Sequence, residues 1–206
     1  MPLGVDTMID QMKIVRYPHP ALRRVAKPLT AIDKTVHLVA GKMIELMNEA
    51  KGLGLAGNQV AWPFQMIVLN LNTDPQQEKP EPTVFINPVI LEKKGAIEEE
   101  EGCLSLPDLY QRVRRAKQVR VQAYNLKGEA VEISAADLPA RAWQHEIDHL
   151  QGILFIDKLG PIAKLSSRNK LREFEAQFTK AQERGEIPPT AEIEKELDAL
   201  MAEGGG

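Results

Sequence analysis

The run Gln144-His145-Glu146-Ile147-Asp148-His149 constrains this chain more than any other stretch. In a helix each residue advances about 100° around the axis. His149 then lies about 40° from His145, on the same face and one turn along, so both imidazoles reach one metal ion. Glu146 sits about 100° round from His145, too far to join as a ligand but close enough to handle a proton on a metal-bound water. The flanks read as helix ends, with Asp137 as a cap, Pro139 in the first turn and Gly152 as the stop. Trp143, Ile147 and Leu150 recur at helical spacing opposite the histidines. One face anchors in a core while the other holds metal. The bland alternative is two histidines on an ordinary polar face, and the apolar stripe behind them argues against it.

A catalytic site of this type carries about three protein ligands and an open position. The chain has four histidines, His19, His37, His145 and His149, and one cysteine, Cys103. His37 falls within a predicted helix, and His19 lies in the rigid Pro18-His19-Pro20 turn. A lone cysteine forms no internal disulfide, so Cys103 is either an inert core residue or a functional one. Gly102 before it and Pro107 after it suggest a bend rather than a plain core strand, which favours a third ligand.

A third segment, Gly52-Leu53-Gly54-Leu55-Ala56-Gly57-Asn58-Gln59, follows a helix predicted over 31–50. Thr30 and Asp33 read as its capping residues, and Val36, Val39, Met43 and Met47 form its apolar stripe. The glycines let backbone approach a ligand closely, although a helix cap followed by a turn explains half of the pattern. The spacing is not that of a phosphate loop. The Gln59 amide, if it lies beside a metal, could donate to a developing oxyanion.

Together the three segments resemble the peptide deformylase family, whose motifs are a glycine-rich run ending in glutamine, then Glu-Gly-Cys-Leu-Ser, then Gln-His-Glu-x-Asp-His. Here these are Gly52 to Gln59, Glu101 to Ser105 and Gln144 to His149, in the family's order, and the resemblance spans roughly residues 12–175. One position departs: where the family has a second alanine, this chain has Gly57, which removes a methyl group and is expected to loosen the loop. The resemblance implies hydrolytic removal of the formyl group from the N-terminal formylmethionine of new polypeptides, with release of formate. It implies Cys103, His145 and His149 as metal ligands. A metal-bound water would attack the formyl carbon, with Glu146 as general acid/base. Gln59 and the Leu104 N–H would stabilise the oxyanion. Backbone at Gly54 and Gly102 would hold the peptide extended, and Leu53 would help form the methionine pocket. The implied ion is ferrous iron, with zinc, nickel or cobalt as substitutes; soft sulfur suits these over magnesium or calcium. By analogy with the family's layout, Asp148 pairs with Arg115. Glu101 could orient a ligand histidine by accepting its other ring N–H. Solvated surface charge is the plainer reading of both acids.

A metallopeptidase shares His-Glu-x-x-His, but a downstream glutamate or histidine as third ligand would mark it. A non-enzymatic metal-binding module would show a closed site of about four ligands. The formal charge of −3 offers nothing for DNA or general nucleic-acid binding. No apolar run reaches the ~18 residues that span a bilayer. The start, Met-Pro-Leu-Gly-Val-Asp, lacks signal-peptide features, and a reduced thiol fits the cytoplasm.

The expected class is α+β, with small mixed or antiparallel sheets around a central metal-binding helix and a C-terminal helical extension. Strands are expected at 64–70, 83–93, 97–104, 113–125, 129–134 and 153–156, with an exposed loop at 73–82 and a tight turn at Lys127-Gly128. The expected organisation is a catalytic domain over 1–160 and a helical extension over 161–206 ending in a flexible acidic tail. Leu171, Phe174, Phe178 and Ala181 stripe its first helix, where 161–184 holds six Lys/Arg against three Glu. After Pro188-Pro189, residues 190–203 hold one Lys against five acids. The resemblance implies that such a helix can contact the ribosome near the exit tunnel. The basic first helix permits this, and the acidic end argues against a long RNA-binding extension.

Overall fold

The computed structural model describes residues 5–70 and 82–204. Its helices are α1 (Val5–Asp10), α2 (Lys34–Glu49), α3 (Asp137–Leu150), α4 (Pro161–Glu183) and α5 (Thr190–Glu203). Its strands are β1 (Gly54–Ala56), β2 (Met66–Leu69), β3 (Thr83–Lys94), β4 (Ile97–Cys103), β5 (Leu106–Arg115), β6 (Gln118–Tyr124) and β7 (Ala130–Ala136). Five strands form one antiparallel sheet in the order β1-β2-β3-β6-β7, and β4 and β5 form a separate hairpin. The fold is α+β, as expected, with both sheets antiparallel.

Strand β2 explains the layering. Its side chains alternate between faces, and all four are buried. Met66 and Val68 join Val36, Val39, Met43 and Met47 of α2 in one core. Ile67 and Leu69 join Phe85, Val121, Trp143 and Leu150 in another, on the α3 side. The sheet is therefore covered on both faces over its first strands. Leu106, Leu109 and Val113 of β5 build a third core with Phe155, Phe174, Ile193 and Leu197. Helix α3 thus has the five-stranded sheet behind its apolar stripe and the hairpin in front of its histidines.

Helix α2 begins where Asp33 Oδ1 accepts from Val36 N at 3.0 Å, so it spans 34–49 rather than 31–50. The Lys127-Gly128 turn forms as expected, with Gly128 at φ 77° and Asn125 Oδ1 accepting from Lys127 N and Glu129 N. Three expectations are corrected. The strand at 113–125 divides: β5 ends at Arg115, β6 starts at Gln118, and the two belong to different sheets. Residues 106–112, outside any expected strand, pair with β4, which supplies the ladder. The strand at 153–156 is instead a 3₁₀ turn over Phe155–Lys158, because Asp157 Oδ2 accepts from Leu154 N (2.7 Å). Asp137 is the first residue of α3, at φ 53°, with its N–H on Lys117 O, and does not serve as the cap. The predicted loop at 73–82 lies outside the described residues but for Pro82.

The acidic segment after Pro188-Pro189 is helix α5, and it folds back rather than running free as a tail. Ile193 and Leu197 are buried, Arg24 pairs with Asp198 at 2.6 Å, and Lys27 Nζ donates to Met201 O. Apolar residues at i and i+4 in an otherwise acidic helix supply the reason. Among the described residues no helix is long and apolar enough to cross a membrane.

Candidate metal centre

Helix α3 carries His145 and His149 into the interior with ring centroids 4.9 Å apart. Their helix is fixed at its middle and at its C-terminus. Gln144 clamps it to the crossing between the two sheets, exchanging bonds with Ala116 N and O, both 3.0 Å. At the C-terminus Gly152 N reaches His149 O and Ile153 N reaches Asp148 O, the double bond of a Schellman motif. Gly152 sits at φ 69°, and a Cβ there would lie 2.5 Å from Arg23 O.

Cys103 ends β4, at a register shift between Glu101 and Cys103, and Leu104 and Ser105 form the turn into β5. That bulge turns the thiol toward α3, with Sγ 3.3 Å from His149 Nε2. Donor atoms of Cys103, His145 and His149 all lie within 4.8 Å of one another. Gln59 arrives from a 3₁₀ turn after β1. Its Oε1 accepts from Ala56 N (2.9 Å), which aims Nε2 at Cys103 Sγ (3.5 Å) and Ser105 Oγ (3.2 Å).

The outer contacts are buried. Glu101 Oε2 lies 3.1 Å from His145 Nδ1, leaving Nε2 of that ring for the cluster. Arg115 donates to both Glu101 oxygens and, at 2.6 Å, to Asp148 Oδ2. With Glu101 and Arg115 both buried, solvated surface charge does not describe them. Asp148 is half-buried and also meets Lys158 Nζ at 3.2 Å. Sequence reasoning missed Arg141, a second guanidinium on Glu101 (2.5 Å) that also donates to Val113 O. Its position four residues before His145, on the metal-facing side of the helix, was the available signal.

Electrostatics follow from burial. Burial raises the Glu146 carboxyl to about 7 against the opposing fields of His145 and Arg115. Burial lowers both imidazoles, but for His145 the hydrogen bonds to Cys103 and Glu101 prevail and hold it at about 10. His149, beside that charge, stays well below the usual range. Burial also works against the Glu101 carboxylate, yet hydrogen bonds from His145 and Arg115 bring it to about 2. Among the described residues, His149 Nδ1 and Glu146 Oε2 are buried without a hydrogen-bond partner. A thiolate and two imidazole nitrogens suit a borderline or soft divalent ion, and the donors fit one.

A cleft of about 610 Å³ opens onto this cluster, lined among others by Leu53, Gly54, Gly102, Leu104, Leu138 and Glu146. A Cβ on Gly54 would lie 2.5 Å from Glu146 Oε1, so the glycine makes room for the carboxyl group. A Cβ on Gly102 would lie 2.5 Å from the Tyr110 ring. Leu53 is 47% exposed at the mouth. Gly57 reverses its expectation: it is buried, and a Cβ would lie 2.5 Å from Trp62 O and 2.8 Å from Phe64 O. The missing methyl allows close backbone packing rather than a loose loop.

The family model for polypeptide deformylase matches residues 11–165. Peptide deformylase of Neisseria gonorrhoeae is 41% identical over 162 residues, covering 79% of this chain and 95% of its own. The crystal structure of a peptide deformylase from Legionella pneumophila superposes with a TM-score of 0.73 at 37% identity, covering 82% of this chain and 97% of its own. Arabidopsis thaliana peptide deformylase 1B, in complex with an inhibitor, gives 0.76 at 35% identity, covering 86% and 96%. With the motif residues gathered at one cleft and a match over most of its length, this chain belongs to the polypeptide deformylase family.

Proposed function

We propose that Cys103, His145 and His149 hold a divalent ion in this enzyme and that Glu146 moves the protons of its reaction. The enzyme is a metal-dependent hydrolase that removes the formyl group from N-formylmethionyl peptides. The observation that carries the assignment of residues is the donor triad within 4.8 Å beside the buried, unpartnered Glu146 Oε2. A divalent ion in this place would polarise the formyl oxygen and lower the pKa of a water from about 15.7 toward about 7.

The chain's own groups do the rest. Glu146 takes the water proton as the water oxygen bonds to the formyl carbon. It returns that proton to the amine as the carbon–nitrogen bond breaks, leaving formate and a free N-terminus. A carboxyl held near neutrality performs both transfers. Gln59 Nε2 and the Leu104 N–H donate to the formyl oxygen as it becomes anionic, each worth about 3 kcal/mol. Backbone at Gly54 and Gly102 holds the peptide extended along the cleft, and Leu53 contacts the methionine side chain. Glu101 fixes the His145 ring, while Arg115 ties Glu101 to Asp148.

Ferrous iron is the ion we favour, since a thiolate with two imidazoles suits it; zinc, nickel or cobalt fit the same donors. A ligand thiol calls for a reducing compartment, which supports the cytoplasm. Residues 1–160 form the catalytic unit in this reading and 161–206 its extension. Lys164, Arg168 and Arg172 on α4 leave a ribosome contact near the exit tunnel open to test by co-sedimentation. The decisive experiment is formate release from formyl-Met-Ala-Ser by protein loaded anaerobically with ferrous iron. Release without cleavage of internal amides supports the assignment, and internal cleavage supports a peptidase.

A further inference from the structure

A second concavity, about 460 Å³, lies between residues 13–19 and the extension. Pockets that seat ligands span about 300–1,000 Å³. Phe174, Phe178 and Ala181 of α4 and Ile187 supply much of its wall, while Lys13 and Glu186 mark its charged rim. His19 meets the Phe178 ring edge-on at 6.2 Å. Burial, then the neighbouring Lys13, lowers that imidazole to about 4, so His19 is uncharged at neutral pH.

This groove adjoins the catalytic cleft. Ile14 and Arg16 line both. The saddle between them is anchored to the catalytic elements themselves, with Val15 N on Gln59 O (2.8 Å) and Tyr17 N on Ser105 O (2.9 Å). The far wall is tied down by Tyr17 Oη donating to Glu175 at 3.0 Å. A peptide that enters the cleft by its formylated end must leave it again, since the substrate is the start of a longer chain. Crossing the Ile14–Arg16 saddle brings its later residues onto an apolar wall.

We propose that the groove between residues 13–19 and α4 is a distal peptide subsite, taking an apolar side chain of the substrate several residues beyond formylmethionine. The proposal rests on the deformylase assignment. It gives the extension a part in substrate choice: the catalytic cleft reads the first residues, and the α4 wall reads a later one. An extended peptide advances about 3.3 Å per residue, so a tripeptide spans about 10 Å and an octapeptide about 26 Å.

The test uses full-length, metal-loaded protein and two peptide sets. One is formyl-Met-Ala-Ser. The other is a series of formyl octapeptides with a single leucine moved along an otherwise Ser/Ala tail. At one tail position leucine should lower KM about fivefold relative to serine, the scale of partly burying one aliphatic side chain. Ala181→Trp and, at an exposed site that spares the fold, Gln177→Trp fill the groove. Both should abolish that advantage and leave the tripeptide rate unchanged. No leucine preference at any tail position overturns the proposal, as does a preference that survives both substitutions. A dimer that both tryptophans dissociate would assign the groove to a second copy and overturns it too. Anisotropy of labelled octapeptides reads binding apart from turnover. Leucine-dependent, tryptophan-sensitive binding without any formate release would support the subsite while refuting deformylation.

Discussion

At Gly57 the chain has no room for a methyl group. A Cβ would press on the backbone carbonyls of Trp62 and Phe64, and carbonyls of a packed turn cannot rotate away as a side-chain tip can. Gly57→Ala should therefore destabilise by about 1–3 kcal/mol, even though relatives are expected to carry alanine there. Thermal melts check this, and an unchanged Tm would show that the turn adapts freely. Glu146 is the other residue whose surroundings set its chemistry. Burial without a partner for Oε2 lifts its carboxyl to about 7. Glu146→Gln keeps the shape and removes the proton carrier. It should retain metal and lose roughly 10²–10⁴ in kcat, measured by formate release alongside metal content. Normal turnover in that variant would remove Glu146 from the reaction. Both positions lie in motifs visible in the sequence, but the sign of the Gly57 effect was not legible. It depends on carbonyls that reach Gly57 only through the fold.

Among the elements, α3 and the β4–β5 hairpin are joined by charge. Glu101 on β4 bonds His145 and Arg141 of α3 and Arg115 of β5. Against burial, the bonds from His145 and Arg115 depress its carboxyl from 4.5 to about 2. A depressed acid contributes stability that is present above its unfolded pKa and lost as pH falls through the folded one. Stability of the metal-free protein should thus drop between about pH 4.5 and 2, by about 3 kcal/mol. Glu101→Gln should flatten that slope, as read in denaturant titrations at several pH values; an identical slope would place the acid sensitivity elsewhere. Helix α5 makes the second element-scale prediction. Deleting residues 190–206 removes Ile193 and Leu197 from the third core and strips Arg24 of Asp198. The truncated protein should lose about 3 kcal/mol, from the burial of two aliphatic side chains. A Tm equal to that of the full chain would make the helix a bystander. The helical periodicity of α2, α3 and α4 was readable along the chain. The break between β5 and β6 was not, since a change of sheet depends on which partner each strand finds.

As a whole, the molecule brings a hairpin, a helix and a glycine-rich turn to one cleft. Binding of an ion to three buried donors should couple to folding. Metal-loaded protein should melt higher than metal-free protein, and Cys103→Ala should lose most of that gain together with metal content after dialysis. Equal melting with and without metal would argue against these ligands. With ferrous iron bound, activity should decay faster in air than under argon, while nickel-loaded protein should resist; equal half-lives would count against iron. The sequence by itself determined the His145–His149 face, the apolar stripe behind it and the three motifs, because those depend on helical spacing and on contiguous residue types. It did not decide that Gln59 would touch Cys103 across 44 positions, or that Cys103 would meet His149 across 46. Nor did it reveal Arg141 on Glu101, the return of α5, or the groove that α4 builds beside the cleft. Local spacing fixes which residues share a face. Only packing, which pairs most buried charges and covers apolar faces, decides which faces meet.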